Sequence, residues 1–206
     1  MKKIILLLLF ISIQTVYSQW EPCNNGLFGG NVQCIATNND LIFIGTKNGV
    51  YFSTDKGESW AAKNYGLFSL NIKSLLMKEG LLFAGTDGGL FKSTNQGELW
   101  IRQNDITNTY IITLACKNNS IFAGTDFNGL FISSDNGDSW FKKDVTPAPS
   151  GGLASIAFKG DTIYIGFSND GLYYSIDNGE NWIENNAHRF DIGVSCLAVR
   201  GNNIFR

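Results

Sequence analysis

Apolar positions along the chain fall in short runs bounded by clusters of Gly, Asn and Asp. The runs opening "LIFIGT", "LLFAGT", "IFAGT" and "IYIGF" are apolar at successive rather than alternate positions, which predicts strands covered on both faces. Each is followed by a turn, "KNG", "DGG", "FNG" or "NDG", whose residues suit a tight hairpin with positive backbone dihedrals. A further apolar strand precedes each run: "VQCIAT", "IKSLLM", "IITLAC", "LASIAF" and finally "VSCLAV". With a short segment after each of four tryptophans, the pattern predicts four strands per unit. None of these segments shows the three-and-four spacing of a helix, so the chain is read as all-β.

The units repeat at a fixed period. "STDKGESW" from Ser53 returns as "STNQGELW" from Ser93, "SSDNGDSW" from Ser133 and "SIDNGENW" from Ser175. Trp60, Trp100, Trp140 and Trp182 stand 40, 40 and 42 residues apart, and Gly45, Gly85, Gly124 and Gly166 hold the same register. Four antiparallel strands in roughly 40 residues, repeated, predict the four-stranded blades of a β-propeller.

The repeated octamer resembles the Asp-box, or bacterial neuraminidase repeat, Ser-x-Asp-x-Gly-x-Thr-Trp. That repeat is found in sialidases, xyloglucan-cleaving glycosidases, sortilin-like receptors and photosystem II assembly factors. The matching positions are Ser53, Asp55, Gly57 and Trp60; Ser93, Asn95, Gly97 and Trp100; Ser133, Asp135, Gly137 and Trp140; Ser175, Asp177, Gly179 and Trp182. Asn95 replaces the Asp of the second copy, and the Thr position reads Ser59, Leu99, Ser139 and Asn181. Turn chemistry explains the motif without catalysis: Ser and Asp side chains cap backbone N–H groups, Gly takes a restricted dihedral, and Trp covers the sheet. The resemblance implies that the box joins third and fourth strands, on the face opposite the ligand-binding one.

"WEPCNNGLFGGNV" from Trp20 aligns without a gap to "WAAKNYGLFSLNI" from Trp60, so the stretch 19–30 is read as carrying the outermost strand of a blade completed elsewhere. Before it, "MKK", the apolar run Ile4 to Ile13 and the exit "TVYS" have the three parts of a secretory signal peptide, with cleavage after Ser18. Ten apolar residues are too few to span a bilayer, which takes about 20. The expected organisation is a signal peptide over 1–18 and a propeller domain over 19–206. Its repeats fall at about 31–70, 71–109, 110–150 and 151–190, with a partial unit over 191–206. Four blades plus partial ones imply an incomplete ring and a fragment of a longer exported protein; a closed five-bladed ring is the alternative.

Of 206 residues, 16 are basic and 18 acidic; without Lys2 and Lys3 the balance is 14 to 18, with no basic run, which argues against nucleic acid. Export makes disulfides possible for Cys23, Cys34, Cys116 and Cys196, Cys23 with Cys34 or Cys34 with Cys196, but no CxxC spacing points to zinc. No cofactor or metal is expected. Sialidase chemistry needs an arginine cluster, and the chain holds only Arg102, Arg189, Arg200 and Arg206. The single histidine, His188, sits in a polar loop.

Turns between second and third strands belong on the ligand-binding face, which singles out Asp87, Asp126 and Asp170 as acidic residues at comparable positions in successive blades. They suit a carboxylate pair for glycoside hydrolysis, or plain turn residues beside Gly. The loops leading into first strands vary while the framework repeats, as binding loops do. They carry Tyr65, Tyr110 and Phe68, of which Phe68, matching Phe28, is read as filling space between blades. The leading expectation is a secreted, non-catalytic propeller that binds a protein or glycan; a carbohydrate-active hydrolase is the alternative, and an assembly factor rests on the resemblance alone.

Overall fold

The computed structural model describes residues 22–28, 30–106, 109–145, 149–185, 193–201 and 203–206. The signal segment, its cleavage point, Trp20 and His188 lie outside them.

Four four-stranded antiparallel sheets follow one another. The first orders β1 (Val32–Asn38), β2 (Leu41–Thr46), β3 (Gly49–Ser53) and β4 (Ala61–Ala62). The second holds β5 (Ile72–Lys78), β6 (Leu81–Thr86), β7 (Gly89–Ser93) and β8 (Ile101–Arg102). The third holds β9 (Ile111–Lys117), β10 (Ser120–Thr125), β11 (Leu130–Ser133) and β12 (Phe141–Lys143). The fourth holds β13 (Leu153–Lys159), β14 (Thr162–Phe167), β15 (Gly171–Ser175) and β16 (Ile183–Glu184), and β17 (Ala198–Arg200) pairs with β18 (Asn203–Phe205) beyond it. The strands are the blades of a β-propeller, in open sheets, and their inner strands β1, β5, β9, β13 and β17 pack in chain order.

The cores lie between sheets. Ala36, Phe43 and Val50 of the first sheet share one cluster with Ile72, Leu75, Leu82, Ala84, Phe91 and Trp100 of the second. Phe83 and Leu90 meet Ile111, Ile121, Ala123 and Trp140 at the next junction, and Phe122 and Leu130 meet Leu153, Ile163, Tyr173 and Trp182 at the third. A second strand therefore has covered faces on both sides, which is why the middles of β2, β6, β10 and β14 are apolar at successive positions.

The in-register glycines mark where blades touch. They pair with Cys34, Ser74, Thr113 and Ser155 on the inner strands. A Cβ on Gly45 would lie 2.5 Å from Ile72 Cγ2, on Gly85 2.7 Å from Ile111 Cγ2, on Gly124 2.6 Å from Leu153 Cδ2 and on Gly166 2.4 Å from Val194 Cγ1. Any side chain there pushes the next blade away.

The hairpins refine the expected turn chemistry. In "KNG", "DGG", "FNG" and "NDG" only the last residue, Gly49, Gly89, Gly129 or Gly171, has positive φ. The other non-glycine positive dihedrals sit at Asn39, Glu79 and Asn118 in the first-to-second-strand turns, and at Lys56, Gln96, Asn136 and Asn178 in the octamers. Among the described residues Cys34, Cys116 and Cys196 are free thiols; burial pushes the Cys34 thiol up to about 12 against a backbone hydrogen bond involving Gly45. That thiol is inert at neutral pH.

Candidate functional site

Strand alternation gives the propeller two faces. One carries the octamer turns, the other the second-to-third-strand turns and the loops that lead into each next blade.

On the first face the polar side chains are consumed locally. Ser53 Oγ donates to Asp55 Oδ1 at 2.7 Å and accepts from Gly57 N at 2.8 Å, while Ser59 N donates to Asp55 Oδ1 at 2.9 Å. Ser133 and Asp135 repeat this with Gly137 and Ser139, and Ser175 and Asp177 with Gly179 and Asn181. Asn95 substitutes through its Oδ1, which accepts from Ser93 Oγ at 2.9 Å and Leu99 N at 3.0 Å. The Ser59 side chain first, then its backbone N–H and Ser53, hold Asp55 down at about 2. The Asn181 backbone and side chain and Ser175 hold Asp177 at about 2, and Asp135 is lowered further by Ser139 and Ser133.

Each tryptophan ties its blade to the one before. Trp60 Nε1 donates to Cys23 O at 2.9 Å and Trp100 Nε1 to Lys63 O at 2.8 Å. Their backbone N–H groups reach Asn25 O and Tyr65 O, both at 2.9 Å. Gly66, at φ 92°, fits there because a Cβ would meet Trp100 O at 2.2 Å. At the third blade Asp105 Oδ2 accepts from Trp140 N at 3.1 Å instead, and the buried indole N–H groups of Trp140 and Trp182 have no partner among the described residues.

On the second face the three predicted carboxylates part company. Asp87 accepts from Ser69 Oγ and from Asn71 Nδ2 at 3.0 Å, and Asn71 Oδ1 accepts from Gln33 Nε2 at 2.8 Å, so the network bridges two blades. Burial would raise the Asp87 carboxyl, but the hydrogen bonds from Ser69 and Asn71, with the charge of Lys73, carry it below the ordinary value. Asp170 accepts from Ser150 N at 2.9 Å and from Tyr173 Oη at 3.3 Å; burial first, then the charges of Asp170 and Glu184, push the Tyr173 phenol up to about 12.

The positions are not equivalent, contrary to the expectation from spacing. Asp87 and Asp126 follow the threonines Thr86 and Thr125, whereas Asp170 precedes Gly171 at the far end of its turn. The last two turns are one residue longer than the first two, and that insertion shifts the register.

Asp126 lies in a cleft of about 330 Å³ lined by Thr109, Tyr110, Asp126, Phe127 and Asn128. Asp126 N donates to Tyr110 O at 3.1 Å, so the turn and the lead-in loop are fastened together. Phe127 at the turn tip is 81% exposed, and it also borders a second, smaller groove with Lys142, Asp144, Val145 and Pro149. Spacing arguments missed it, although the extra residue in "DFNG" was the visible signal. Tyr110 is half exposed and belongs to this cleft, while Tyr65, 77% exposed, stands apart at the second blade's lead-in. Phe68 packs edge-on against Phe91 at 4.9 Å and lies beneath Arg102 at 5.1 Å, yet stays mostly exposed. Arg102 also donates to Gly88 O at 3.2 Å. Among the described residues no three His, Cys, Asp or Glu side chains gather as metal ligands, and no helix is long and apolar enough to cross a membrane.

Solved structures share this fold. An ancestral GH74 enzyme matches with 27% identity and a TM-score of 0.68 over 81% of this chain and 25% of its own. The extracellular domain of a putative one component system from B. thetaiotaomicron matches with 17% identity and a TM-score of 0.68, over 84% of this chain and 25% of that one. The GH74 xyloglucanase from Xanthomonas campestris matches with 14% identity and a TM-score of 0.66, over 85% and 35%. The chain thus spans about a quarter to a third of these proteins. Among curated proteins none matches. The model of the DUF6242 beta propeller domain matches residues 30–151, more than half of the chain, and the protein belongs to that family.

Proposed function

We propose that the protein is an exported, non-catalytic propeller module that presents its loop face to a glycan or protein ligand, as part of a longer protein. The octamers are Asp-boxes, structural turns on the opposite face, and residues 1–18 direct export. The single observation that supports this most is the fate of the carboxylates. Asp87 is held ionised by Ser69 and Asn71, and Asp170 is engaged by Ser150 and Tyr173, so among these three loop-face carboxylates no uncommitted pair remains to divide the roles of acid and base. The fold likeness to an extracellular domain agrees with export.

A second reading, a carbohydrate-active hydrolase, draws support from the 27% identity to an ancestral GH74 enzyme. Incubating the purified full-length protein with xyloglucan and with cello-oligosaccharides separates the two. Binding without release of reducing ends is expected. Turnover that disappears in Asp87→Asn or Asp126→Asn would establish the hydrolase instead.

A further inference from the structure

The third blade's turn on the loop face is lengthened by one residue, as the fourth blade's is, but differs from it in two features. It carries a phenylalanine left in solvent, and its carboxylate, Asp126, has no hydrogen bond or ion pair among the described residues. The turn is nonetheless fixed: Thr125 Oγ1 donates to Gly129 O at 2.8 Å, Asn128 N donates to Thr125 Oγ1 at 3.0 Å, and Asp126 N donates to Tyr110 O. Gly152 closes in behind it, since a Cβ there would come within 2.7 Å of Asp126 Oδ1. An exposed aromatic on a pinned backbone loses little freedom when it takes a ligand.

The lining defines the ligand's chemistry. Two aromatic rings, Tyr110 and Phe127, stand beside a free carboxylate, an amide and a hydroxyl from Asp126, Asn128 and Thr109. Among the described residues no lysine or arginine borders this cleft, so none of them neutralises a phosphate, sulfate or carboxylate there. A carboxylate beside an amide accepts and donates to adjacent hydroxyls, and exposed aromatics stack on a ring with an apolar face. A cationic ligand would share the carboxylate but gains most from an aromatic enclosure that excludes water, whereas Phe127 is largely open to solvent. Resting on the binding-module reading above, we infer that this cleft is a subsite for a neutral pyranose, with Phe127 and Tyr110 as the stacking surface and Asp126 and Asn128 as the hydroxyl partners.

Calorimetric titration of the full chain with cellohexaose, xyloglucan heptasaccharide and mannohexaose tests it, with tetramethylammonium as the cationic probe. At least one oligosaccharide should bind, with Phe127→Ala and Asp126→Ala each weakening it by about tenfold. Gly152→Ala should weaken it by pressing on Asp126. Melting temperatures of Phe127→Ala and wild type should agree, because the ring is exposed. If an oligosaccharide binds equally well to Phe127→Ala and Asp126→Ala but loses affinity in Tyr65→Ala, glycan binding stands and this subsite is wrong. Binding of tetramethylammonium without any oligosaccharide, or of no probe at all, overturns the pyranose assignment.

Discussion

The two faces of the propeller use the same few residue types to opposite ends. On the octamer face, Ser53, Asp55 and Ser59 spend their hydrogen-bonding capacity on one another and on the local backbone. On the loop face, Thr125 and Gly129 build an equally fixed turn but leave Asp126 and Phe127 projecting from it. The repeated polar motif is closed on itself, whereas the third blade's lengthened turn leaves groups available.

The largest test of this contrast removes a blade tie. Trp100 is 2% exposed and bonded to Lys63, so Trp100→Ala should cost about 3–5 kcal/mol in urea unfolding. Phe127→Ala should cost almost nothing by the same measurement. A cost for Phe127→Ala comparable to that for Trp100→Ala would erase the distinction between faces.

A subtler pair compares junctions. Trp100→Phe removes the bond to Lys63 O and should cost about 1 kcal/mol more than Trp140→Phe, whose indole N–H has no such partner. Equal costs would mean that the indole bonds are not what separates the junctions.

The octamer carboxylates make stability depend on acid. The folded values of Asp55 and Asp177 lie at about 2, below the ordinary unfolded value near 3.9. Their stabilisation is therefore fully present above about pH 4 and is lost as pH falls towards 2. Urea midpoints between pH 5 and 2 should decline less steeply in Asp55→Asn than in wild type, since Asn95 shows that a neutral amide fills the same place. An unchanged slope would place the acid sensitivity elsewhere.

The smallest effect belongs to the surface. Lys63 pairs with Glu98 across the first junction, with Glu98 mostly exposed, and Glu98→Gln should change stability by about 0–1 kcal/mol. A larger loss would make that ion pair a principal tie between blades.

Much of the fold was readable because the octamers and the "GT" glycines hold a nearly constant period, and strand patterns follow from cores shared by neighbouring sheets. What Gly45 and Gly85 do was not readable, since their register is local but their contacts with Ile72 and Ile111 come from the next unit. The site was less legible still. Asp87, Asp126 and Asp170 all fall within a few residues of a hairpin glycine in sequence, yet Ser69, Asn71, Ser150 and Tyr173 decide which carboxylates are engaged. Ser69, Asn71 and Ser150 arrive from lead-in loops that lack the regularity of the repeat, and Tyr173 from the third strand of its own blade. Phe127 was passed over as a turn residue because its exposure depends on the inserted position at the tip.

The glycine-to-aliphatic contact between blades carries a consequence for descent. Gly45 on Ile72, Gly85 on Ile111, Gly124 on Leu153 and Gly166 on Val194 are one joint made four times. Where stability is a sum over nearest neighbours, a gene segment encoding one such unit can be duplicated or lost between two identical joints without redesigning either side. Blade number then drifts by recombination, while a single inserted residue such as Phe127 is enough to give one copy a task of its own.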